Sequence, residues 1–245
     1  MIVYMANVSV SEAAKRLGVG VPRVHQRIAD GSLRAERLGN QWVVDELSLL
    51  QVAERKTPGR PLSARSAWAL VALAEGDQEA LADLAPVERS RAKARLEELF
   101  ARVERPHKSE EQVRQIAAVL RSSFRNRARR LLRQAAGADL PGLQHDARWI
   151  PLGLSAPASG IGAIDVAEGY VAPSEVKQLS DDFLLVPAEQ DANVVLHVLP
   201  DRQQPYPESP LLLAADLAEH RGPREELRAV ELLGEAAERY GQGER

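Results

Sequence analysis

The sequence predicts a mixed α/β chain in three regions. Residues 1–56 read as a helix-turn-helix with a β-hairpin wing, 57–62 as a linker, 63–138 as an all-α middle region and 139–245 as a small α+β domain. Three observations carry this. Within 9–44, two short helical periodicities stand on either side of Gly18-Val19-Gly20, followed by two β-type runs split by Gly39-Asn40. From Ser63 the apolar residues recur at helical spacing. From Leu140 the texture changes to short apolar runs between Pro, Gly and Asn.

In the first region Ser9 can cap a helix with Glu12 three residues on, the reciprocal capping-box spacing, and Ala13, Ala14 and Leu17 form its apolar stripe. A second helix starts near Val21, where Pro22 is tolerated because a first-turn residue has no intrahelical N–H to lose. Val24 and Ile28 lie four apart on its inner face, which leaves Arg23, Gln26 and Arg27 to face a ligand. Asp30-Gly31 ends it. Residues 35–38 and 41–44 then read as strand, tight turn and strand. Asp45 is placed to cap a third helix through about Arg55, with Leu47, Leu50 and Val52 or Ala53 inward.

Ser9-Val10-Ser11-Glu12-Ala13-Ala14, the helix at 21–28 and the wing Leu38-Gly39-Asn40-Gln41-Trp42 together resemble the small winged helix-turn-helix of the MerR and excisionase type. Gly20 departs from that pattern, which has a capping Ser or Thr there. The resemblance implies major-groove docking of the second helix and a wing on the backbone or minor groove. The side chains agree, since Arg and Gln pair bidentately with guanine and adenine edges. Arg23, Gln26 and Arg27 are the expected base readers, with His25 at a base or a phosphate and Pro22 beside them. Lys15, Arg16, Arg34, Arg37 and Gln41 are expected on the backbone, with Asn40 at the wing tip. An αα-hairpin with a solvated basic face is the alternative.

Thr57-Pro58-Gly59-Arg60-Pro61 leaves no helix to continue and reads as a linker. Its Gly59-Arg60-Pro61 core resembles an AT-hook, whose arginine enters a narrow A·T minor groove; a stiff connector is the other reading. Helical patterning is then expected throughout 63–137. Trp68, Leu70, Val71 and Leu73 mark a segment ending at Gly76, Leu81 and Leu84 a short second, and Pro86 opens a third to about Val103. Ser109-Glu110-Glu111-Gln112 opens a long fourth that buries Val113, Ile116, Leu120, Phe124, Leu131 and Leu132. On that expected helix Arg121, Arg125, Arg129 and Arg133 recur every four residues. Like charges at this spacing repel unless anions neutralise them, so the ladder is either a solvated face or a contact for phosphate, for the acidic back half or for a partner.

Beyond Leu140 the apolar runs lie at 149–154, 169–171, 183–186 and 194–199. The last, bounded by Asn and Pro and rich in β-branched residues, reads as a buried strand. Two helices close the chain, at 211–219 and 224–240. Glu168-Gly169-Tyr170-Val171, Leu184-Leu185-Val186-Pro187, residues 193–200, residues 214–220 and Gly222-Pro223-Arg224-Glu225 resemble the C-terminal part of AbiEi-like antitoxins and regulators. That resemblance implies an autorepressor partnered with a nucleotidyltransferase toxin. It departs at the front, where those proteins carry a different winged helix.

Composition narrows the chemistry. The 245 residues contain no cysteine, so neither a disulfide framework nor a thiolate metal site is open to the chain, which fits a reducing cytoplasm. No apolar run approaches bilayer length, residues 1–8 lack the pattern of a signal peptide, and no membrane partner is expected. A net charge of −3 hides an asymmetry: residues 89–133 hold 14 Lys/Arg against five Asp/Glu, whereas 134–245 hold eight against 19. This opposition implies a front half that faces nucleic acid and an acidic back half that would repel DNA and suit a basic partner. His25, His107, His145, His197 and His220 stand too far apart to form a zinc pair, and His197 reads as a satisfied core residue. Ser159-Gly160-Ile161-Gly162 is a turn or helix start, and Asp181-Asp182 a cap or turn. No enzyme, metal or cofactor is expected. The function read from the sequence is a sequence-specific DNA-binding regulator, the antitoxin of a toxin–antitoxin module. It would bind its own promoter at repeated half-sites, as a homodimer or in tandem. An excisionase-like accessory factor, a MerR-like regulator without a toxin, and a fused enzyme are the alternatives.

Overall fold

The chain divides into two compact units, 1–58 and 59–245. The computed structural model describes residues 7–17, 19–39, 41–45, 48–49, 61–103, 109–163, 165–188 and 191–243. The expected third helix falls almost wholly outside these residues, though Ser48 and Leu49 are helical and Asp45 Oδ1 accepts from Ser48 N at 2.7 Å. Residues 57–60 of the linker, with Arg60, and the wing-tip Asn40 also lie outside them.

In the first unit, α1 (Val10–Leu17) and α2 (Val21–Ala29) pack against a three-stranded antiparallel sheet. The hairpin of β2 (Ala35–Leu38) and β3 (Gln41–Asp45) is joined by β1 (Asn7–Ser9), in the order β1-β3-β2. The first strand was not foreseen. Its three residues have no alternation of their own to read, and only β3 supplies its partners. Ala13, Val24, Leu33, Val44 and Leu49 close a small core, each at most 1% exposed.

The second unit is helical at its start. α3 (Ala64–Glu75) is capped by Ser63 Oγ and stopped by Gly76 at φ 69, where a side chain would strain the left-handed backbone. α4 (Gln78–Ala82), α5 (Pro86–Ala101) and α6 (Glu110–Phe124) follow, the last opened by the capping box of Ser109 and Gln112.

The expected fourth helix stops at Phe124, and residues 129–134 form a strand, β4 (Arg129–Gln134). Trp68 Nε1 donates to Arg127 O at 2.8 Å and Asn126 Nδ2 to Leu62 O at 3.0 Å, so the chain is held in a turn where a helix would have continued. Leu131 and Leu132 then sit opposite Leu196 and Val195. The arginine ladder therefore does not exist. Arg121 is tucked against Ala218 O at 2.7 Å and Glu226 at 2.9 Å, and Arg125 is an exposed helix cap. Arg129 is exposed on the strand, and Arg133 folds back onto Leu132 O.

After α7 (Leu140–Gln144) and β5 (Ile150–Pro151) come β6 (Ala167–Val171), α8 (Val176–Asp182), β7 (Val186–Pro187) and β8 (Val194–Val198). The sheet runs β5-β6-β8-β4-β7, with β6 parallel to β8 and the expected buried strand at its centre. Asp181 and Asp182 end α8 rather than occupying a loop, and each meets a cation, Lys177 and Arg148 respectively. One sheet face carries Ala167, Val171, Val194 and Leu196 against Leu143 and Leu179. The other faces α9 (Pro210–Leu217), and α10 (Pro223–Gly243) closes the unit.

The core built on α9 runs from Ala67 on α3 to Ala236 on α10 and so spans residue 138, where the sequence suggested a boundary. The physical reason is α9 itself, whose eight residues are all buried and need apolar neighbours all round.

Candidate nucleic-acid interface

The first unit presents α2 and the wing. Gly20 precedes α2 in an extended conformation, φ −71 and ψ 152, with no side-chain cap, and its carbonyl accepts from Arg23 N at 2.9 Å. Pro22 supplies a preset φ in the first turn. At 100° per residue, Val24 and Ile28 define the inner side and Gln26 points directly away from it. Arg23 and Pro22 flank Gln26, His25 lies on one shoulder and Arg27 on the other. Burial follows this geometry: Pro22, Arg23, His25 and Gln26 are exposed and Arg27 is half-buried.

Arg23 Nη1 donates to Gln26 Oε1 at 2.5 Å, which locks two flexible side chains into one outward unit. Arg27 is held differently. Among the described residues its Nε is enclosed without a hydrogen-bond partner, while its carbonyl accepts from Leu33 N and Ser32 Oγ, tying the end of α2 to the segment that leads into the wing. An enclosed donor of that kind costs about 1–3 kcal/mol unless a ligand or water meets it.

The wing is tied to the same frame. Ser48 Oγ accepts from Arg34 N at 2.8 Å, and Arg34 O accepts from Asp45 N at 3.0 Å. Arg37 stands opposite Trp42 and Leu38 opposite Gln41, with Gly39 at φ 61 making the tight turn. Arg34, Arg37 and Gln41 are exposed. So is Leu38, at 74%, and Trp42 reaches 36%. Lys15 and Arg16 lie exposed at the end of α1, where Arg16 Nε donates to Glu12 Oε1 at 2.9 Å. Glu12 is thus turned to Arg16, although Ser9 Oγ accepts from Glu12 N as expected. Unit 1 therefore exposes Lys15, Arg16, Pro22, Arg23, His25, Gln26, Arg34, Arg37 and Gln41, with Arg27 half-buried, whereas Asn40 and Arg60 lie outside the described residues.

A second polar constellation lies in the other unit, and sequence reasoning missed it as a constellation. Glu168 on β6 is fully buried. Its Oε1 meets His197 Nε2 at 2.8 Å, and its Oε2 meets His220 Nε2 at 2.7 Å and accepts from Leu154 N at 2.8 Å. Burial pushes this carboxyl upward, but the two imidazoles outweigh it and hold the group well below the usual carboxylate range. Burial likewise lowers His220, and the Glu168 carboxylate reverses that and raises it above 6.5.

Beside them Tyr170 stacks on His197 at 4.9 Å and donates to Asp216 Oδ1 at 2.7 Å. Arg127 binds Asp216 at 2.6 Å and also Glu219. Gly153, at φ 59, leaves room for Glu168, whose Oε2 would stand 2.1 Å from a Cβ there. The available signal was a carboxylate set in an apolar run, as in 167–171 and 210–217, since a buried charge must find a partner. His197 is the satisfied core residue that was expected, and among the described residues no group of His, Asp and Glu is arranged to hold a metal. No described helix is long and apolar enough to cross a membrane.

Residues 8–57 match the family model of a helix-turn-helix domain, so the amino-terminal unit is a helix-turn-helix domain. No curated protein and no solved structure matches the chain.

Proposed function

We propose that this chain is a sequence-specific DNA-binding regulator in which α2 enters the major groove and the β2–β3 wing lies along the backbone. The observation that carries it is the outward Arg23–Gln26 pair at the centre of α2, within a stretch that matches a helix-turn-helix domain. Arg23 and Gln26 read base edges, and Arg27 reaches them or a phosphate from its shoulder. Pro22 and His25 border them. Lys15, Arg16, Arg34, Arg37 and Gln41, with Asn40 and Arg60, position the duplex. One such domain covers only a few base pairs, so binding is to repeated half-sites, as a homodimer or in tandem.

The finer reading is antitoxin and autorepressor, with a nucleotidyltransferase toxin encoded alongside. What supports it is that the segments carrying the AbiEi-like resemblance pack together: Glu168 on β6, His197 on β8, and Asp216 and His220 at the end of α9 share one polar layer.

Two measurements test this. In a mobility-shift series on the gene's own upstream DNA, Arg23→Ala should weaken specific binding by about 1–3 kcal/mol and leave non-specific binding nearly intact. Equal affinity of variant and parent would remove α2 from the interface. Co-expression with the neighbouring gene product should yield a complex that co-purifies. A neighbour that is an integrase, or no complex, would leave the DNA-binding regulator standing without its antitoxin role.

A further inference from the structure

A cleft of about 790 Å³ opens between the end of α3, α4, the first half of α5 and the end of α10. That volume lies within the range of small-molecule sites, about 300–1,000 Å³. Its apolar side is Leu73 from α3, Leu81 on α4, Leu84 just beyond it and the Tyr240 ring from α10, while Gln78 and Ser90 add polar groups. Three cations stand at the same cleft. Arg89 and Lys93 are one turn apart on α5, and Arg239 comes from α10. The lining also holds the Glu75 carboxylate, and Lys93 Nζ stands 3.9 Å from Glu97 on the same helix.

Two of the cations are steered by the fold. Arg89 Nη2 donates to Leu81 O at 2.6 Å, and Arg239 Nη1 to Glu208 O at 3.2 Å. A guanidinium has five N–H donors, so each arginine keeps others for an anion. Apolar walls with a cationic rim match one kind of small molecule, an apolar chain ending in a negative head. The carboxylate is the head that fits a guanidinium fork.

We propose that this cleft binds an aliphatic carboxylate, its chain along Leu73, Leu81 and Leu84 and its head held by Arg89, Lys93 and Arg239. The inference is independent of the DNA-binding reading, because every lining residue lies within 73–243, outside the helix-turn-helix domain.

The full chain is titrated with dansylamino-undecanoate, a fluorescent fatty-acid probe. Saturable, blue-shifted emission at one probe per chain is expected. Decanoate should displace it, whereas decanol and decyltrimethylammonium at the same concentration should not. Lys93→Gln with Arg239→Gln, both exposed and away from the core, should weaken the probe by roughly tenfold or more. Arg125→Gln with Arg129→Gln, which removes an equal charge outside the cleft, should change it by less than about twofold. Leu84→Trp should block the probe by filling the apolar end. Decanol competing as well as decanoate would overturn the assignment, as would unchanged affinity in the double variant while its circular dichroism matches the parent. Absence of saturable binding would overturn it too.

Discussion

An arginine does opposite work in the two units. On α2, Arg23 is exposed and, among the described residues, its side chain is hydrogen-bonded to a neutral amide, so its charge remains available to an anion. Between the sheet and α9, Arg127 is 1% exposed, and its charge is consumed by Asp216 and Glu219 while Tyr170 and Phe124 O take further bonds. The difference teaches that the density of basic residues along a sequence does not locate a nucleic-acid surface. Residues 89–133 are the most basic stretch of the chain, yet Arg121 and Arg127 turn inward, and Arg114 pairs with Glu110 and Glu111.

The sharpest way to break this contrast is to remove the guanidinium on each side. Arg127→Met should destabilise the second unit by about 3–5 kcal/mol, because Asp216 is left as a carboxylate without its cation in a dry layer and Glu219 keeps only Arg130 among the described residues. Urea denaturation followed through Trp68 and Trp149 would register it. Arg23→Ala under the same conditions should stay within about 0.5 kcal/mol of the parent. Equal losses at both positions would erase the distinction between a structural and an available arginine.

A smaller effect sharpens the account of the buried layer. His220 is raised above its ordinary 6.5 by Glu168, and Arg130 and Glu219 also face it. Its contribution is complete below pH 6.5 and disappears as the pH climbs through its folded value. Glu168 acts in the opposite sense: its contribution is present above its ordinary 4.5 and is lost as the pH falls toward its depressed folded value. Above pH 6.5 the parent should lose stability as the pH rises, and His220→Gln should flatten that slope. Stability measured at closely spaced pH values decides it, and an unchanged slope would show that His220 is not the titrating group.

The smallest expected effect lies at the entry to α2. Gly20 has the extended conformation of a capping residue but no side chain, and a Cβ there would meet only Pro22 Cδ at 3.5 Å. Gly20→Ser should stabilise the first unit by a few tenths of a kcal/mol, read as a small rise in the thermal midpoint followed through Trp42. A fall would mean that the added hydroxyl is not accepting from the first turn.

The first unit was legible because its signals are local. Ser9, Gly20-Val21-Pro22, Asp30-Gly31 and Gly39-Asn40 each act within a turn or two, and the outward residues of α2 follow from helical periodicity once Val24 and Ile28 face in. The same locality explains the correct reading of Gly76 and of the Ser109 capping box. It fails where the partner is distant. Leu131 and Leu132 have helical spacing from Phe124 but a strand's environment, supplied by β8 more than 60 positions later. Glu168, Asp216 and the two histidines are scattered along the chain, and no spacing rule joins them.

What the amino-acid order determined by itself is the set of short-range decisions: where helices begin, where turns close, and which side of α2 faces outward. Capping, glycine stereochemistry and amphipathic period each operate over a few residues and leave their mark in the letters. Only the tertiary structure decided that the basic middle of the chain turns from helix to strand at Arg127, and that its guanidinium becomes the counter-ion of α9. That choice is set by desolvation: a charge withdrawn from water takes whatever opposite charge the fold brings to it, however far away along the chain.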